Sequence, residues 1–206
     1  MSRYVVTGTD TGIGKTVVAA GLAGNLRARY WKPVQAGLDE ETDSDAVRRL
    51  TEGRAEVLPE HYRLVTPCSP HEAARIDGVR IDPAALALPA GNGPLIVEGA
   101  GGVLVPVNDE TLYADLFALW RLPVILVART ALGTINHSLL SLEALRARAI
   151  KVAGVIFSGE ENAASEAAIV RFGQCRHLGR LPRLDPLTPA ALAEAVAQNI
   201  RMDLLA

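Results

Sequence analysis

Residues 8–16 read Gly8-Thr9-Asp10-Thr11-Gly12-Ile13-Gly14-Lys15-Thr16, and the remaining elements of the chain arrange themselves around this stretch. Before it lies the short apolar run from Tyr4 to Thr7. After it, residues 16–29 carry Val17, Val18, Ala20, Leu22 and Leu26 at the spacing of a helix packed on a sheet. Strand, glycine-rich turn and helix, in that order, are the setting of a phosphate-binding loop. Glycines let successive backbone N–H groups curl toward phosphate oxygens, and the helix opening near Lys15 adds the positive end of its dipole. Lys15 then meets the β- and γ-phosphates, and the Thr16 hydroxyl supplies an oxygen ligand for the Mg²⁺ that bridges them. One detail departs from the usual pattern. Five residues rather than four separate Gly8 from the Gly14-Lys15 pair, so Thr9 occupies the slot of the first glycine.

Further short apolar runs alternate with helical patterns along the chain. Tyr30 to Val34 is expected to form a second strand, ended by a proline and a glycine, and Leu95 to Glu98 a third. Val124 to Ala128 and Val152 to Phe157 are continuously apolar, as strands buried on both faces are. Helices are expected at about 136–148, with Leu139, Leu140, Leu142 and Leu145 on one face, and at 189–200, where Thr188 serves as N-cap and Pro189 fills the first turn. Residues 53–94 are rich in Pro, Gly and Glu and read as a loop-dominated excursion with one or two short helices. The alternation specifies an α/β fold: one doubly wound, mostly parallel sheet with helices on both faces, of the P-loop NTPase-like type. At 206 residues the chain is expected to form a single domain over residues 1–206.

Composition narrows the partners. Apolar residues make up 49 % and charged residues 21 %, sufficient for a buried core. Lys and Arg number 21 against 23 Asp and Glu, which leaves no basic excess to neutralise a nucleic acid. The first residues, Met1-Ser2-Arg3-Tyr4-Val5, show no secretory leader pattern, and apolar runs such as Leu122 to Ala128 fall far short of the ~20 residues that span a bilayer. Cys68 and Cys175 carry no metal or redox spacing. A cytoplasmic location is expected, with no membrane and no nucleic-acid partner.

Several polar residues fall where strands end. Glu98 closes the run Leu95-Ile96-Val97 and precedes Gly99-Ala100-Gly101-Gly102, a turn that lets backbone approach a ligand. Such a carboxylate suits a Mg²⁺ at the phosphates. Asp45, in Thr42-Asp43-Ser44-Asp45, reads equally as a metal ligand and as part of a helix cap. Lys32 is one of only three lysines, beside 18 arginines, and ends a buried strand on the same sheet edge as the phosphate loop. A buried ammonium there needs an anion to meet. His71 and His137 lack metal-ligand spacing, and Lys151 reads as a solvated surface charge.

Taken in order, Gly8-Thr9-Asp10-Thr11 through Gly14-Lys15-Thr16, Lys32-Pro33-Val34-Gln35, Ser44-Asp45-Ala46, Val97-Glu98-Gly99-Ala100-Gly101-Gly102, Pro123 to Val127 and Leu132-Gly133-Thr134-Ile135-Asn136-His137 resemble the ATP-dependent dethiobiotin synthetase family over nearly the whole chain. The resemblance implies a homodimer that closes the ureido ring of dethiobiotin from 7,8-diaminopelargonic acid, CO₂ and ATP, with Mg²⁺, in biotin synthesis. It implies catalytic roles for Lys32 and Lys15, and a metal site of Thr16, Asp45 and Glu98. Nucleotide contacts are implied for Gly12, Ile13, Gly14, Lys15, Thr16, Val17, Asp45, Glu98, Gly99, Ala100, Gly101, Ser158 and Pro182. Substrate contacts are implied for Thr11, Lys32, Ala36, Gly133, Thr134 and Asn136, the last three from the partner subunit.

This chain departs from the family pattern in places. Gly12 stands where some members carry glutamate, and Ala36 where a hydroxyl residue often meets substrate. Ser158 stands where many members present an asparagine to the adenine, which leaves the choice among ATP, CTP and GTP open. The join between Arg29 and Trp31 is shorter than usual. An alternative class is a nucleotide-switched ATPase acting on a protein partner, but its signature lysine would fall at Asp10. A cobyrinic or cobyric acid synthase-like enzyme would need a glutaminase domain for which 206 residues leave no room.

Overall fold

In the computed structural model, which describes residues 2–205, the elements follow one another as β1 (Arg3–Gly8), α1 (Lys15–Leu26), β2 (Arg29–Trp31), β3 (Val34–Ala36), α2 (Asp43–Thr51), β4 (Glu56–Val57), β5 (Tyr62–Leu64) and α3 (Pro70–Asp77), then β6 (Leu95–Gly102), α4 (Tyr113–Trp120), β7 (Val124–Arg129), α5 (Thr134–Arg146), β8 (Val152–Ser158), α6 (Ala163–Gly173), β9 (His177–Leu181) and α7 (Pro189–Asn199). Seven strands form one sheet in the order β4-β2-β6-β1-β7-β8-β9. Each pairing within it is parallel. Parallel strands must be joined by crossovers, which lay helices over both faces and bury the central strands on both sides.

That two-sided burial explains the continuous apolar runs. Along β7, Val124, Leu126 and Ala128 face one layer of core and Ile125 and Val127 the other. In β1 the same alternation sends Val5 one way and Val6 the other. The first layer is closed by Leu116, Phe117 and Trp120 of α4, Leu142 and Leu145 of α5 and Ile169 of α6. The second is closed by α1, by Val47 and Leu50 of α2, and by Leu192 and Val196 of α7. Thr188 caps α7 by accepting a hydrogen bond from the Ala191 amide at 3.2 Å, with Pro189 in the first turn.

The run from Tyr30 to Val34 is not one strand. β2 stops at Trp31, and Val34–Ala36 pairs instead with β5 in a separate two-stranded sheet. Pro33 has no N–H for a ladder, and its carbonyl accepts from the His61 and Tyr62 amides at 3.0 and 3.1 Å. The chain therefore leaves the main sheet at Lys32. The short join before β2 works because Arg27 takes a left-handed conformation, φ 47°, and ends α1 within one residue. Residues 53–94 contain the expected short helix at α3 and a 3₁₀ turn at Pro83–Ala85, together with the unexpected strands β4 and β5.

Candidate active site

The phosphate loop connects β1, at the centre of the sheet, to α1. Gly14 sits at the N-cap with φ 90°, a conformation that favours glycine, and a Cβ there would come within 2.6 Å of Ser158 Oγ, which would have to rotate away. Lys15 is 7 % exposed, and its ammonium donates to the Asp10 carbonyl at 2.6 Å. Burial holds its pKa below the ordinary lysine value.

Below the loop lies a charge cluster in which Lys32 and Glu98 are buried and the Asp43 side chain is 31 % exposed. Lys32 Nζ meets Asp43 Oδ2 at 2.6 Å, the Gly99 carbonyl at 3.0 Å and Glu98 Oε1 at 3.3 Å. Burial opposes this ammonium, but the charges of Glu98 and Asp43 outweigh it and raise its pKa above the usual value. Thr16 Oγ1 lies 2.8 Å from Asp43 Oδ1 and 2.9 Å from Glu98 Oε1, so its single proton serves one carboxylate at a time. Burial raises the Glu98 pKa despite Lys32. For Asp43 burial pushes the same way, but the Lys32 charge and hydrogen bond win and lower it. The Gln35 side chain accepts from the Asp43 amide at 3.2 Å and so fixes where α2 begins.

Asp45 is not part of this cluster, which corrects its expected place beside Thr16 and Glu98. It lies two residues beyond Asp43 on α2, about 200° round the helix. Its amide donates to Thr42 Oγ1, the Thr42 hydroxyl donates back to its carboxylate at 2.6 Å, and Arg48 holds its other oxygen at 2.7 Å. Its side chain is 52 % exposed. Thr42-x-x-Asp45 is a capping-box spacing, and this was the signal in the sequence that Asp43, at the first helical position, was free to turn inward.

A cavity of about 620 Å³ opens over the cluster. Thr11, Gly12, Ile13, Gly14, Val17, Ala36, Ala100 and Gly101 line it together with Lys15, Thr16, Lys32, Asp43 and Glu98. Gly99 lies behind, contributing its carbonyl to Lys32. Pro67, Cys68, Ser69 and Pro70 form the far wall, a contribution hidden in the irregular stretch 53–94. A second hollow of about 320 Å³ continues from Gly12, Gly14 and Val17 to Ser158, Pro182 and Leu184. A third, about 380 Å³, shares Thr11 and Val105 with the first and reaches Leu104, His137 and Leu140. Gly133, Thr134 and Asn136 line none of the three. They stand at the start of α5, where Gly133 caps the helix, Thr134 is buried with its hydroxyl on the Arg129 carbonyl, and neighbouring Leu132 is fully exposed.

The donor set suits Mg²⁺. Two carboxylates and a hydroxyl converge within 3 Å, all hard oxygens, and Mg²⁺ takes one or two carboxylates together with phosphate oxygens and water. Among the described residues no larger group of His, Cys, Asp or Glu could hold a metal ion.

Known proteins agree with this architecture. A family model described as an AAA domain matches residues 2–191. The ATP-dependent dethiobiotin synthetase BioD of Agrobacterium fabrum is 61 % identical over 97 % of this chain and 95 % of its own length. The protein of the same name from Rhodopseudomonas palustris is 64 % identical over 95 % of this chain and 92 % of its own. That from Brucella ovis is 58 % identical over 98 % and 96 %. Among solved structures, a ParA family ATPase from Chlorobium tepidum overlays with a TM-score of 0.61 at 10 % identity, covering 99 % of this chain and 96 % of that one. At that identity the likeness speaks for the fold alone. With a glycine loop, a buried lysine between two carboxylates, and identities near 60 % over almost its full length, the chain belongs to the ATP-dependent dethiobiotin synthetase family.

Proposed function

We propose that this protein is an ATP-dependent ligase that closes the ureido ring of 7,8-diaminopelargonic acid with CO₂ to give dethiobiotin, ADP and phosphate, in biotin biosynthesis. What supports the proposal most directly is Lys32, a buried ammonium held between Asp43 and Glu98 at the floor of the cavity and within one cluster with Thr16 of the phosphate loop. One substrate amine adds to CO₂ as a carbamate. A carbamate oxygen then attacks the γ-phosphorus, and the bond to ADP breaks. The second amine attacks the carbonyl carbon of the resulting carbamic-phosphoric anhydride, and phosphate leaves as the ring closes.

Lys32 is a compact point charge suited to the carbamate oxygen and to the phosphoryl group as it moves. Lys15 faces the same group from the loop, releasing the Asp10 carbonyl to do so. Thr16, Asp43 and Glu98 would hold Mg²⁺. The ion supplies charge neutralisation on the phosphates during transfer. Gly12 to Val17 and Gly99 to Gly101 give the phosphates backbone partners, and the hollow at Ser158 and Pro182 takes the base. Thr11 and Ala36 bound the diamine.

A homodimer completes the site. Leu132 is 100 % exposed just before α5 and Ile135 is exposed in its first turn, while Leu104 and Leu140 are exposed together at the third hollow, apolar surface of the kind a second copy covers. Across such an interface the start of α5 at Gly133, Thr134 and Asn136 would face the substrate carboxylate with its positive dipole end, the Thr134 amide itself being donated to the Ala131 carbonyl at 3.2 Å. No described helix is long and apolar enough to cross a membrane, and the proposed location is the cytoplasm.

The test is direct. Purified protein is incubated with 7,8-diaminopelargonic acid, bicarbonate, Mg²⁺ and ATP, then with CTP and GTP in place of ATP, and dethiobiotin is detected by mass. Product that requires both substrate and nucleotide is expected, with ATP among the nucleotides used. Folded protein that makes none with any nucleotide sinks the proposal and returns weight to a nucleotide-switched ATPase.

A further inference from the structure

Tyr30 is wholly buried, and the roles above do not use it. It lies on β2 opposite Ile96 of β6, and Glu98 is the next residue on the same side of that strand. The long ring leans along the strand and brings its hydroxyl to Glu98 Oε2, to which it donates at 2.8 Å. Glu98 is likewise wholly buried. The two carboxylate oxygens are thereby divided. Oε2 is turned into the core and held by Tyr30. Oε1 alone faces the cavity side, 2.9 Å from Thr16 Oγ1 and 3.3 Å from Lys32 Nζ.

We propose that Tyr30 is a positioning residue that presents Glu98 to the phosphate site through a single oxygen, and so sets both how tightly a divalent cation is held and which cation is preferred. The proposal rests on Thr16, Asp43 and Glu98 being the cation site. A carboxylate in the core cannot leave an oxygen unpartnered at low cost, so without the Tyr30 hydroxyl Glu98 turns to find another donor. Partners behind a ligating group fix its orientation, and their loss weakens metal binding about 10- to 100-fold. One-oxygen presentation also discriminates: Mg²⁺ demands a small, near-ideal octahedron, whereas Ca²⁺ readily accepts both oxygens of one carboxylate.

Tyr30→Phe keeps the ring and removes only the donor. Mn²⁺ serves as the probe, with free Mn²⁺ measured by electron paramagnetic resonance in the ADP complex, and Mg²⁺ and Ca²⁺ then used to displace it. Wild-type protein is expected to take up Mn²⁺. Tyr30→Phe is expected to bind it about 10- to 100-fold more weakly, with ADP affinity in EDTA within about twofold of wild type. The ratio of Mg²⁺ to Ca²⁺ affinity is expected to fall, and as a ratio it is insensitive to the fraction of protein folded. Unchanged Mn²⁺ affinity in Tyr30→Phe overturns the role of Tyr30 alone, and equal losses for Mg²⁺ and Ca²⁺ overturn the single-oxygen presentation. If the wild type takes up no Mn²⁺, the cation site itself falls and this proposal with it.

Discussion

The main cavity has two unlike walls. One is made from the ends of β1 and β6 and the loop into α1. Its charged groups Lys15, Lys32 and Glu98 are 7 %, 3 % and 0 % exposed, and each has a named partner. The other is Pro67 to Pro70, carried by the small β3–β5 sheet and α3, with Pro67 and Cys68 exposed. It is fastened by Asp77, which accepts from the Val65 amide at 2.6 Å, the Thr66 amide at 3.3 Å and the Thr66 hydroxyl at 2.6 Å. Charge that must act on a reacting group is held where water is scarce and dipoles are fixed in advance, because only there is its field strong and its reorganisation small. The outer wall bears no such demand and is built from surface hydrogen bonds.

Changes on the inner wall are therefore expected to cost turnover, and the largest effect falls on Lys32. Lys32→Gln removes the cation that Asp43 and Glu98 share while keeping length and hydrogen-bonding capacity. We expect kcat to fall by roughly 10²–10³-fold, the scale of a lost transition-state donor, while nucleotide binding measured in equilibrium titration persists. Turnover at the wild-type level would remove Lys32 from the chemistry.

Next in size is a comparison between neighbours. Asp43→Asn alters the carboxylate on Thr16 and Lys32, and turnover at limiting Mg²⁺ is expected to drop about 10- to 100-fold, as for other disturbed ligand sets. Asp45→Asn changes an exposed helix position, expected to shift stability by roughly 0.5 kcal/mol and turnover much less than Asp43→Asn. The reverse order in steady-state kinetics would mean that Asp45, and not Asp43, serves the bound state.

The inner wall is also the part that could be read from the residues alone. Apolar runs mark strands buried on both faces, and glycines before Lys15-Thr16 mark the loop, because both features follow from backbone chemistry that depends little on the rest of the fold. Asp43 was obscured by its neighbour: two carboxylates two residues apart fall on different helix faces, and only the Thr42 cap decides which one turns inward. The split at Pro33 needed the partner strand β5, sixty-odd positions into the chain, to become visible. β9, with His177, Gly179 and Arg180 in five residues, has the composition of an edge strand and no apolar run to announce it. The outer wall left no local signal, since its position comes from long-range contacts such as that of Asp77 with Val65 and Thr66.

That clamp yields the smallest expected effect and the sharpest contrast with the inner wall. Asp77→Ala should raise KM for the diamine roughly two- to fivefold with kcat nearly unchanged, because surface hydrogen bonds of this kind contribute little. Hydrogen bonds to its ionised form, the Thr66 hydroxyl first, hold the Asp77 pKa below the ordinary aspartate value. The sign follows: a depressed folded-state pKa means the clamp is fully present above the unfolded value, about 3.9, and is lost as pH falls through the lower folded value. In nuclear magnetic resonance spectra the Val65 and Thr66 amide signals should thus stay in place from pH 7 to about 4.5 and shift only below the ordinary carboxylate range. In Asp77→Asn that shift should vanish. An ordinary midpoint in the wild type would mean that the carboxylate does not fasten the wall, and that Pro67 to Pro70 are held by the packing of α3 against β3 and β5 alone.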